Sequence, residues 1–390
     1  MRAPKEKNQP QINRTIPLSI YDALPRRAGF RVVPEPGDMP VHNIAVIAGD
    51  GIGKEVMPEG IRVLEAAGRR FGIDFSWREL TWSSETYLRT GRFMPEDGLE
   101  QLREYSAIYL GAIGLPGIPD HVSLWGLLIP IRRSLKQYVN LRPVRLLKGL
   151  TSPLLNRSAA DIDFIIIREN NEGEYSQIGG RLYPGTEEEM AVQESVFTRK
   201  GVDRVLRYAF ELAQKRRAKH LTSATKSNGI LHTMPFWDER FAALAAQYPE
   251  IRTDQYHIDI LTAHFVLHPD WFDVVVASNL FGDILSDLGP ALAGGIGIAP
   301  SANLNPEREY PSMFEPVHGS APDIAGRGIA NPIGQIWSGA LMLDQLGHPE
   351  AAAAVEKAIE TVLETTSLRT LDMGGRASTE EMGIAIAEAV

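Results

Sequence analysis

Short, continuous apolar runs that alternate with helical patterns constrain the fold of this chain more than any other feature. Such runs occupy residues 43–48, 107–111, 163–167 and 273–278. Helical periodicity follows residue 54 and recurs near residues 97–105, 200–217, 336–347 and 351–366. Strands that are apolar throughout are typical of a sheet that is buried on both faces. The alternation therefore predicts an α/β fold with helices on both sides of the sheet.

The size and charge of the chain narrow its class. Its 390 residues, 44% hydrophobic and 23% charged, are typical of a soluble globular protein with two domains or one large interleaved unit. A net charge of −9 and the lack of a long basic run argue against a nucleic-acid partner. No stretch of about 18 apolar residues is present, so no membrane partner is expected. The absence of cysteine excludes disulfides, thiolate nucleophiles and Cys-zinc sites, and we expect a cytoplasmic protein.

Residues 1–40 differ in composition from the rest of the chain. They contain seven prolines and several basic residues but show little periodicity. This composition predicts an N-terminal arm that is partly disordered. A transit peptide is disfavoured because the segment is poor in serine and lacks an amphipathic helix. The alternative to an arm is a translation start that was assigned too far upstream.

Two aspartates four residues apart, Asp283 and Asp287, follow the apolar run at 273–278. On a helix they share one face, where their like charges repel unless a cation neutralises them. The position past a strand end is where open α/β sheets bind ligands. A third carboxylate is available at Asp259, and three aspartates suit Mg²⁺ or Mn²⁺. The pair alone would favour the alternative of a solvated helix face.

Three arginines, Arg132, Arg142 and Arg168, form a basic set in the middle of the chain. Arg168 ends a predicted buried strand, where a charge needs a partner or a ligand. Arg142 precedes a proline, so its backbone should be extended. Because a guanidinium binds a carboxylate through two parallel hydrogen bonds, the set predicts a dicarboxylate site. Taken singly, each arginine is more easily explained by a surface salt bridge.

Two polar loops carry candidates for proton transfer. Tyr175, seven residues beyond Arg168, is either an acid or an ordinary loop aromatic. Lys226 follows a short apolar segment and would normally be solvated. A neighbouring divalent cation would favour its neutral amine, which can act as a general base.

Glycine-rich stretches lie near the start and the end of the folded region. The sequence GDGIGK at residues 49–54 matches neither the G-x-G-x-x-G fingerprint nor a P-loop, and a tight βα turn explains it as well as a ligand contact does. Residues 294–301 lack helix signals and are expected to be flexible. Residues 314–326 read as a loop in which His318 is suited to stack on an adenine and Asp323 to accept from a ribose hydroxyl. An acidic residue at the ribose favours NAD over NADP.

Together, these motifs resemble the isocitrate and isopropylmalate dehydrogenase family of metal-dependent β-decarboxylating dehydrogenases, over about residues 43–390. The resemblance rests on NLFGDILSD at 279–287, EPVHGSAPDI at 315–324, Asn331 and GDGIG at 49–53. Within the family, the sequences VSLWG at 122–126, TKSNGI at 225–230, MPFWDE at 234–239 and NLNPER at 303–308 are most similar to the tartrate and D-malate dehydrogenase branch.

The resemblance implies a two-domain α/β fold that is not a Rossmann fold. Residues 41–137 and 294–390 would form a large nucleotide-binding domain, and residues 138–293 a small domain with the dimer interface. It implies a homodimer with shared active sites and oxidative decarboxylation of a (2R)-malate-type hydroxy acid such as D-malate or tartrate. The cofactors would be NAD and Mg²⁺ or Mn²⁺, and K⁺ is a further candidate.

The resemblance also assigns roles to single residues. Arg132, Arg142 and Arg168 would hold the substrate carboxylates. Asp283 and Asp287 would bind the metal together with Asp259 of a second copy, Lys226 of that copy would be the base, and Tyr175 the acid. Asp259 also counts among the catalytic residues. The cofactor would contact Glu315, His318, Gly319, Ser320, Ala321, Asp323 and Asn331.

One departure from the branch concerns substrate choice. The segment ahead of Arg132 reads LLIPI at 127–131, with Pro130 where the branch has a polar residue such as lysine. Its apolar side chains leave room for a small alkyl group on the substrate. Two enzyme alternatives stay open, 3-isopropylmalate dehydrogenase and isocitrate dehydrogenase, and the Trp125 segment argues against the first. An alternative of a different class is a catalytically silent nucleotide-binding subunit. The last should have lost part of the acidic or basic set, which is complete here.

Overall fold

The computed structural model describes residues 41–390, so the predicted N-terminal arm at 1–40 lies outside the described residues. The strands are β1 (His42–Gly49), β2 (Phe75–Glu79), β3 (Ala107–Ala112), β4 (Val139–Arg145), β5 (Asp163–Glu169), β6 (Gly179–Leu182), β7 (Met190–Gln193), β8 (His220–Thr225), β9 (Arg252–His257), β10 (Val274–Ala277), β11 (Pro300–Leu304) and β12 (Ser312–Pro316). The helices are α1 (Gly53–Phe71), α2 (Ser84–Thr90), α3 (Gly98–Leu102), α4 (Asp120–Ser123), α5 (Ile129–Ser134), α6 (Arg199–Lys215), α7 (Thr233–Ala245), α8 (Ile258–Leu267), α9 (Asn279–Ala293), α10 (Ile333–Gln345), α11 (Pro349–Thr365) and α12 (Thr379–Ala389). The strands and helices predicted from hydrophobic periodicity are confirmed.

A single ten-stranded sheet runs through the molecule in the order β2-β1-β3-β12-β11-β4-β5-β10-β8-β9. The strands β2, β1, β3 and β12 are parallel neighbours, as are β5, β10, β8 and β9. Antiparallel pairing of β11 with β12, of β11 with β4, and of β4 with β5 joins the two parallel blocks. A Rossmann sheet is mostly parallel with a different strand order, so the expectation of a non-Rossmann α/β fold is confirmed.

Alternating side chains of the central strands enter different hydrophobic cores, as the sequence predicted. On β5 and β10, Ile165 and Val274 pack in the core that contains α6, whereas Ile166 and Val275 pack in the core that contains α9. Successive side chains of a strand point to opposite faces, so helices cover both faces of the sheet. On β1 the same alternation places Ile44 in the core that contains α6 and Ile47 in a separate core on the other face. The division of the chain into a large and a small domain stays a prediction.

Two glycine-rich segments contain more regular structure than expected. Residues 294–301 contain a 3₁₀ turn, Ile296–Ile298, and then enter β11, so the expectation of a flexible segment is wrong. Ile298 and Ala302 are buried in the core, and the backbone of β11 is hydrogen-bonded to two neighbouring strands. The predicted loop at 314–326 likewise begins inside β12, which ends at Pro316.

A two-stranded hairpin, β6–β7, stands outside the main sheet. Both strands are exposed along their whole length, and Leu182, Tyr183, Met190 and Val192 present apolar surface to solvent. An isolated hairpin is marginally stable in water, so this one needs a covering surface. Among residues 41–390, no helix combines the length and the apolar character that crossing a membrane requires.

Candidate active site

Helix α9 positions the two aspartates that the sequence singled out. It begins directly after β10, and it carries Asp283 and Asp287 one turn apart on the same face. The Glu174 carboxylate, from a neighbouring loop, caps the start of the helix. It accepts hydrogen bonds from the Leu280 backbone N–H (3.0 Å) and from the Ser278 hydroxyl (2.7 Å). A negative charge at a helix N-terminus is stabilising, so this cap fixes the helix that presents the acidic pair.

Arg168 lies at the end of β5 and forms an ion pair with Asp283, which satisfies the predicted need for a partner. Its side chain is almost fully buried, and the Asn279 side-chain oxygen accepts from Nε (3.1 Å) and Nη2 (2.7 Å). Gly282 permits this approach, since a Cβ there would lie 2.5 Å from the Cβ of Arg168. Asn279 and Gly282 therefore orient the guanidinium toward the acidic pair.

Arg132 and Arg142 approach the same region from α5 and β4. Arg132 donates to a Glu315 carboxylate oxygen at 2.7 Å, and Asn303 donates to the same oxygen at 2.7 Å. Glu315 therefore lies between the predicted substrate set and the predicted cofactor loop. The strand conformation of Arg142 is confirmed, and its guanidinium donates to the Ser286 hydroxyl at 2.7 Å.

Two of the three guanidinium groups, those of Arg132 and Arg142, lack full compensation within the described part of the chain. The buried Nε atoms of Arg132 and Arg142 have no hydrogen-bond acceptor there. Burial, together with the charges of Arg168 and Arg132, lowers the pKa of Arg142 to about 10. Asp287, the carboxylate closest to Arg142, is 3.7 Å away and mostly exposed. An anionic ligand with several oxygens would relieve this excess of buried positive charge.

Tyr175 meets the acidic pair from the loop after β5. Its hydroxyl donates to an Asp283 carboxylate oxygen at 2.7 Å. Burial, reinforced by that carboxylate, raises the pKa of Tyr175 to about 12. The hydroxyl therefore keeps its proton at neutral pH, which an acid requires.

Glutamates fix the loop that carries Tyr175. The Glu169 carboxylate accepts from the Asn171 backbone N–H (3.0 Å) and the Glu172 backbone N–H (2.8 Å). Burial raises the pKa of Glu169 to about 7. Glu172 in turn accepts from the Thr198 backbone N–H (2.8 Å), and Glu174 caps α9. The loop is therefore held by carboxylate–backbone hydrogen bonds along its length.

The two aspartates of α9 differ in their titration. Burial would raise the pKa of Asp283, but the charge of Arg168 and the hydrogen bond from Tyr175 outweigh it and hold that pKa below its usual value. For Asp287, burial and the charge of Asp283 outweigh the attraction of Arg142, so its pKa is raised. A cation between them would favour the ionised form of both.

Asp259 and Lys226 pair with each other at the surface of the same chain. The Lys226 ammonium donates to an Asp259 carboxylate oxygen at 2.8 Å, and the Asp259 side chain is 67% exposed. This hydrogen bond is the main reason that the pKa of Asp259 is lowered. Within residues 41–390 of one chain, no cluster of three carboxylates or histidines could hold a metal ion. One copy of the chain therefore brings together Asp283 and Asp287 but not Asp259.

The first βα turn is tied to the rest of the large sheet by structural contacts. The Asp50 carboxylate accepts from the Ser84 backbone N–H (2.9 Å), the Ser84 hydroxyl (2.6 Å) and the Gly114 backbone N–H (2.9 Å). Gly51 has φ +53°, and a Cβ there would collide with the Ser320 carbonyl, to which Ile52 donates at 2.9 Å. These contacts account for a tight turn, and a ligand contact at this turn stays a prediction.

The cofactor candidates line one edge of the molecule beside that turn. The His318 ring donates its Nδ1–H to the Gly319 carbonyl (3.0 Å), while its buried Nε2 atom has no partner in the described chain. Burial lowers the pKa of His318, so its ring is neutral at pH 7. Gly319 faces open space, and Asp323 is exposed at the rim. Ser320 and Asn331 are buried, and Ala321 adopts φ +40° between Ser320 and the exposed rim.

Several residues that organise this edge carry no local sequence signal. Asp372 accepts from the Asn331 side-chain amide at 3.0 Å, although the two lie 41 positions apart. Glu55 of α1 accepts from the backbone N–H groups of Gly326 (2.6 Å) and Gly328 (2.7 Å). Because each is a single carboxylate on an ordinary helix or turn, only the three-dimensional arrangement identifies it. Asn279 and Glu174 were missed for the same reason.

Comparisons with known proteins identify the family of the chain. The model of the isocitrate/isopropylmalate dehydrogenase family matches residues 43–386. The chain is 59% identical over 359 residues to the D-malate dehydrogenase (decarboxylating) of Escherichia coli strain K12, covering 90% of this chain and 99% of that protein. It is 59% identical over 360 residues to the tartrate dehydrogenase/decarboxylase of Pseudomonas putida, with 90% and 98% coverage. Among solved structures, the isocitrate dehydrogenase of Methylococcus capsulatus has a TM-score of 0.81 at 34% identity, covering 90% of this chain and 99% of that one.

Proposed function

The chain belongs to the isocitrate/isopropylmalate dehydrogenase family, and from that premise we propose that it is an NAD- and divalent-metal-dependent decarboxylating dehydrogenase. Its substrate is a (2R)-malate-type hydroxy dicarboxylic acid, either D-malate, which yields pyruvate and CO₂, or tartrate. The D-malate and tartrate relatives favour these acids, because each matches about nine-tenths of the chain at 59% identity.

The observation that carries the proposal is the convergence of Arg132, Arg142 and Arg168 beside the Asp283 and Asp287 pair. The buried Nε atoms of Arg132 and Arg142 have no hydrogen-bond acceptor in the described chain, and Arg168 forms an ion pair with Asp283. A hydroxy dicarboxylic acid supplies both the carboxylate oxygens that the arginines require and a hydroxyl that can approach the aspartates.

The residues present fit both cofactors. Asp283 and Asp287 offer hard oxygen donors on one helix face, with Asp259 of a second copy as the further ligand, and this donor set suits Mg²⁺ or Mn²⁺. The unpartnered His318 Nε2, the open space at Gly319 and the exposed Asp323 fit an adenosine group. When bound, the cation would supply polarisation of the C2 oxygen and stabilisation of developing negative charge, and NAD⁺ would supply the hydride acceptor.

Residues of the chain perform the remaining steps. The arginines hold the two carboxylates so that the C2 hydrogen faces the cofactor edge. Lys226 of the second copy accepts the proton of the C2 hydroxyl as hydride leaves C2. The carboxylate β to the new ketone departs as CO₂, and Tyr175 donates its proton to the carbon left behind. One proton is taken and one returned, so malate and NAD⁺ give pyruvate, CO₂ and NADH in balance.

We propose a homodimer with shared sites, and the exposed features of one chain support it. The hairpin β6–β7 is uncovered, and α8 presents Ile260 and Val266 to solvent while packing against α9, which exposes Ile284. Exposed apolar surface of this kind is typical of an interface. The pair Lys226–Asp259 lies at the surface, where a second copy can approach it. We also propose the two-domain division given above, a cytoplasmic location and activation by K⁺.

Substrate choice and metal dependence form one testable prediction. D-malate with NAD⁺ and Mn²⁺ is expected to give NADH and pyruvate, with kcat/KM for D-malate or tartrate exceeding that for 3-isopropylmalate and isocitrate by at least about tenfold, because one misplaced alkyl or carboxyl group costs about 1–3 kcal/mol. Chelation should abolish turnover and Mn²⁺ should restore it. A steady-state panel at fixed NAD⁺ measures both effects. Turnover that survives chelation, or a preference for 3-isopropylmalate, would contradict the proposal.

A further inference from the structure

We propose that Arg133 is a positioning residue that sets the place of Tyr175 in the active site, an inference that rests on the proposed function. The guanidinium of Arg133 donates to the backbone carbonyl of Tyr175 at 2.5 Å. The same guanidinium lies over the Trp125 ring, 5.0 Å from its centroid. Arg133 therefore connects the substrate-selecting segment before Arg132 with the loop that carries the proton donor.

The Trp125 side of this connection is an unusual piece of helix. Leu124–Leu128 form a π turn between α4 and α5, in which the Ile129 N–H reaches back to the Leu124 carbonyl. Pro130 follows at the start of α5 and has no N–H to donate, so an ordinary α-helical ladder cannot continue through it. Turns of this type recur at functional sites. A fixed aromatic face here gives the Arg133 guanidinium one preferred plane.

The Tyr175 side is held from the opposite direction. Glu169 binds backbone N–H groups of the loop, and Glu174 joins it to α9. Glu169 holds residues that precede Tyr175, and Glu174 anchors the residue directly before it, whereas Arg133 binds the carbonyl of Tyr175 itself. The Tyr175 hydroxyl then reaches Asp283 at 2.7 Å. Without the Arg133 contact, the peptide after Tyr175 loses a charge-assisted bond, and the hydroxyl can move away from the carbon that it protonates.

The role is distinct from substrate binding. Arg132, its neighbour in α5, pairs with Glu315, whereas Arg133 is directed to the Tyr175 loop. Loss of Arg133 should therefore lower kcat and leave the KM for D-malate nearly unchanged. A shift of about 1 Å in a reacting group can cost on the order of a hundredfold in rate, so a loss of about 10- to 100-fold in kcat is expected for Arg133→Met.

A double-mutant cycle tests the inference. Wild type, Tyr175→Phe, Arg133→Met and the double variant are compared by kcat with D-malate, NAD⁺ and Mn²⁺. If Arg133 acts through the Tyr175 hydroxyl, Arg133→Met should change kcat by less than about twofold in the Tyr175→Phe background, because residues that act as a unit are not additive. Arg133→Lys, which keeps a charged donor, should recover part of the loss.

Controls separate the outcomes. Arg103→Met is the matched control, since Arg103 lies 5.0 Å over the Tyr310 ring at the surface, and it should leave kcat unchanged. NADH binding and thermal melting establish that each variant is folded. If Arg133→Met does not fold, Arg133→Lys replaces it in the double-mutant cycle. An equal fold-loss in both backgrounds, or a kcat of Arg133→Met within twofold of wild type, would overturn the inference while the proposed function stands. An inactive wild type would overturn both.

Discussion

Asp283→Asn is expected to lower kcat/KM by about a thousandfold or more, the effect of removing several kcal/mol of metal-derived stabilisation. The substitution keeps the shape of the side chain but removes the charge that both a cation and Arg168 require. Its hydrogen bond from Tyr175 would also weaken. Calorimetric titration with Mn²⁺ should show lost metal affinity alongside the lost turnover.

Asp270→Asn is the matched control for this change. Asp270 pairs with Arg157 at 2.9 Å and has a side-chain exposure of 41%, close to the 37% of Asp283. Because that pair lies away from the candidate site, kcat/KM should stay within about twofold of wild type, as expected for a surface ion pair. An Asp283→Asn enzyme with wild-type Mn²⁺ affinity would remove Asp283 from the metal site.

Lys226→Met is expected to lower kcat by about 10²- to 10⁴-fold, the range for loss of a general base. NADH binding should change little, because Lys226 is not among the cofactor candidates and its side chain pairs with Asp259. Stability should change little, since the Lys226–Asp259 pair lies at the surface, where solvent screens the attraction between its charges. Steady-state kinetics and NADH titration on the same preparation measure both quantities.

The control for Lys226 is another lysine–carboxylate pair at the surface. Lys136 donates to Glu309 at 3.0 Å, and Lys136→Met should retain full kcat. If Lys226→Met kept more than about a tenth of wild-type kcat, its assignment as the base would be contradicted.

The amino-acid sequence was sufficient for features that depend on local periodicity. The apolar runs located the strands that contain Ile44 and Ile165, and the helix after β10 carries Asp283 and Asp287 on one face as predicted. The extended backbone of Arg142 followed from the proline after it. These features are local, because side-chain alternation and proline geometry act within a few residues.

Features that depend on distant contacts were not predictable in this way. The antiparallel pairing of β4 with β11 joins segments about 160 residues apart, and no local pattern specifies it. Residues 294–301 appeared flexible because glycine is permissive, yet the burial of Ile298 orders them. Asp372 and Glu174 are ordinary surface-type residues whose roles come from the groups that the fold brings beside them. In the proposed dimer, the exposed pair Lys226–Asp259 would become part of a site only through a second copy, which the sequence of one chain cannot display.

The central claim is that each active site combines the Asp283–Asp287 pair of one copy with Lys226 and Asp259 of another. Co-expression of Asp283→Asn and Lys226→Met chains with two different affinity tags allows the mixed dimer to be purified. That dimer is predicted to recover about half of the wild-type kcat, because one of its two symmetry-related sites retains both side chains. A mixed dimer no more active than either parent variant would contradict the claim.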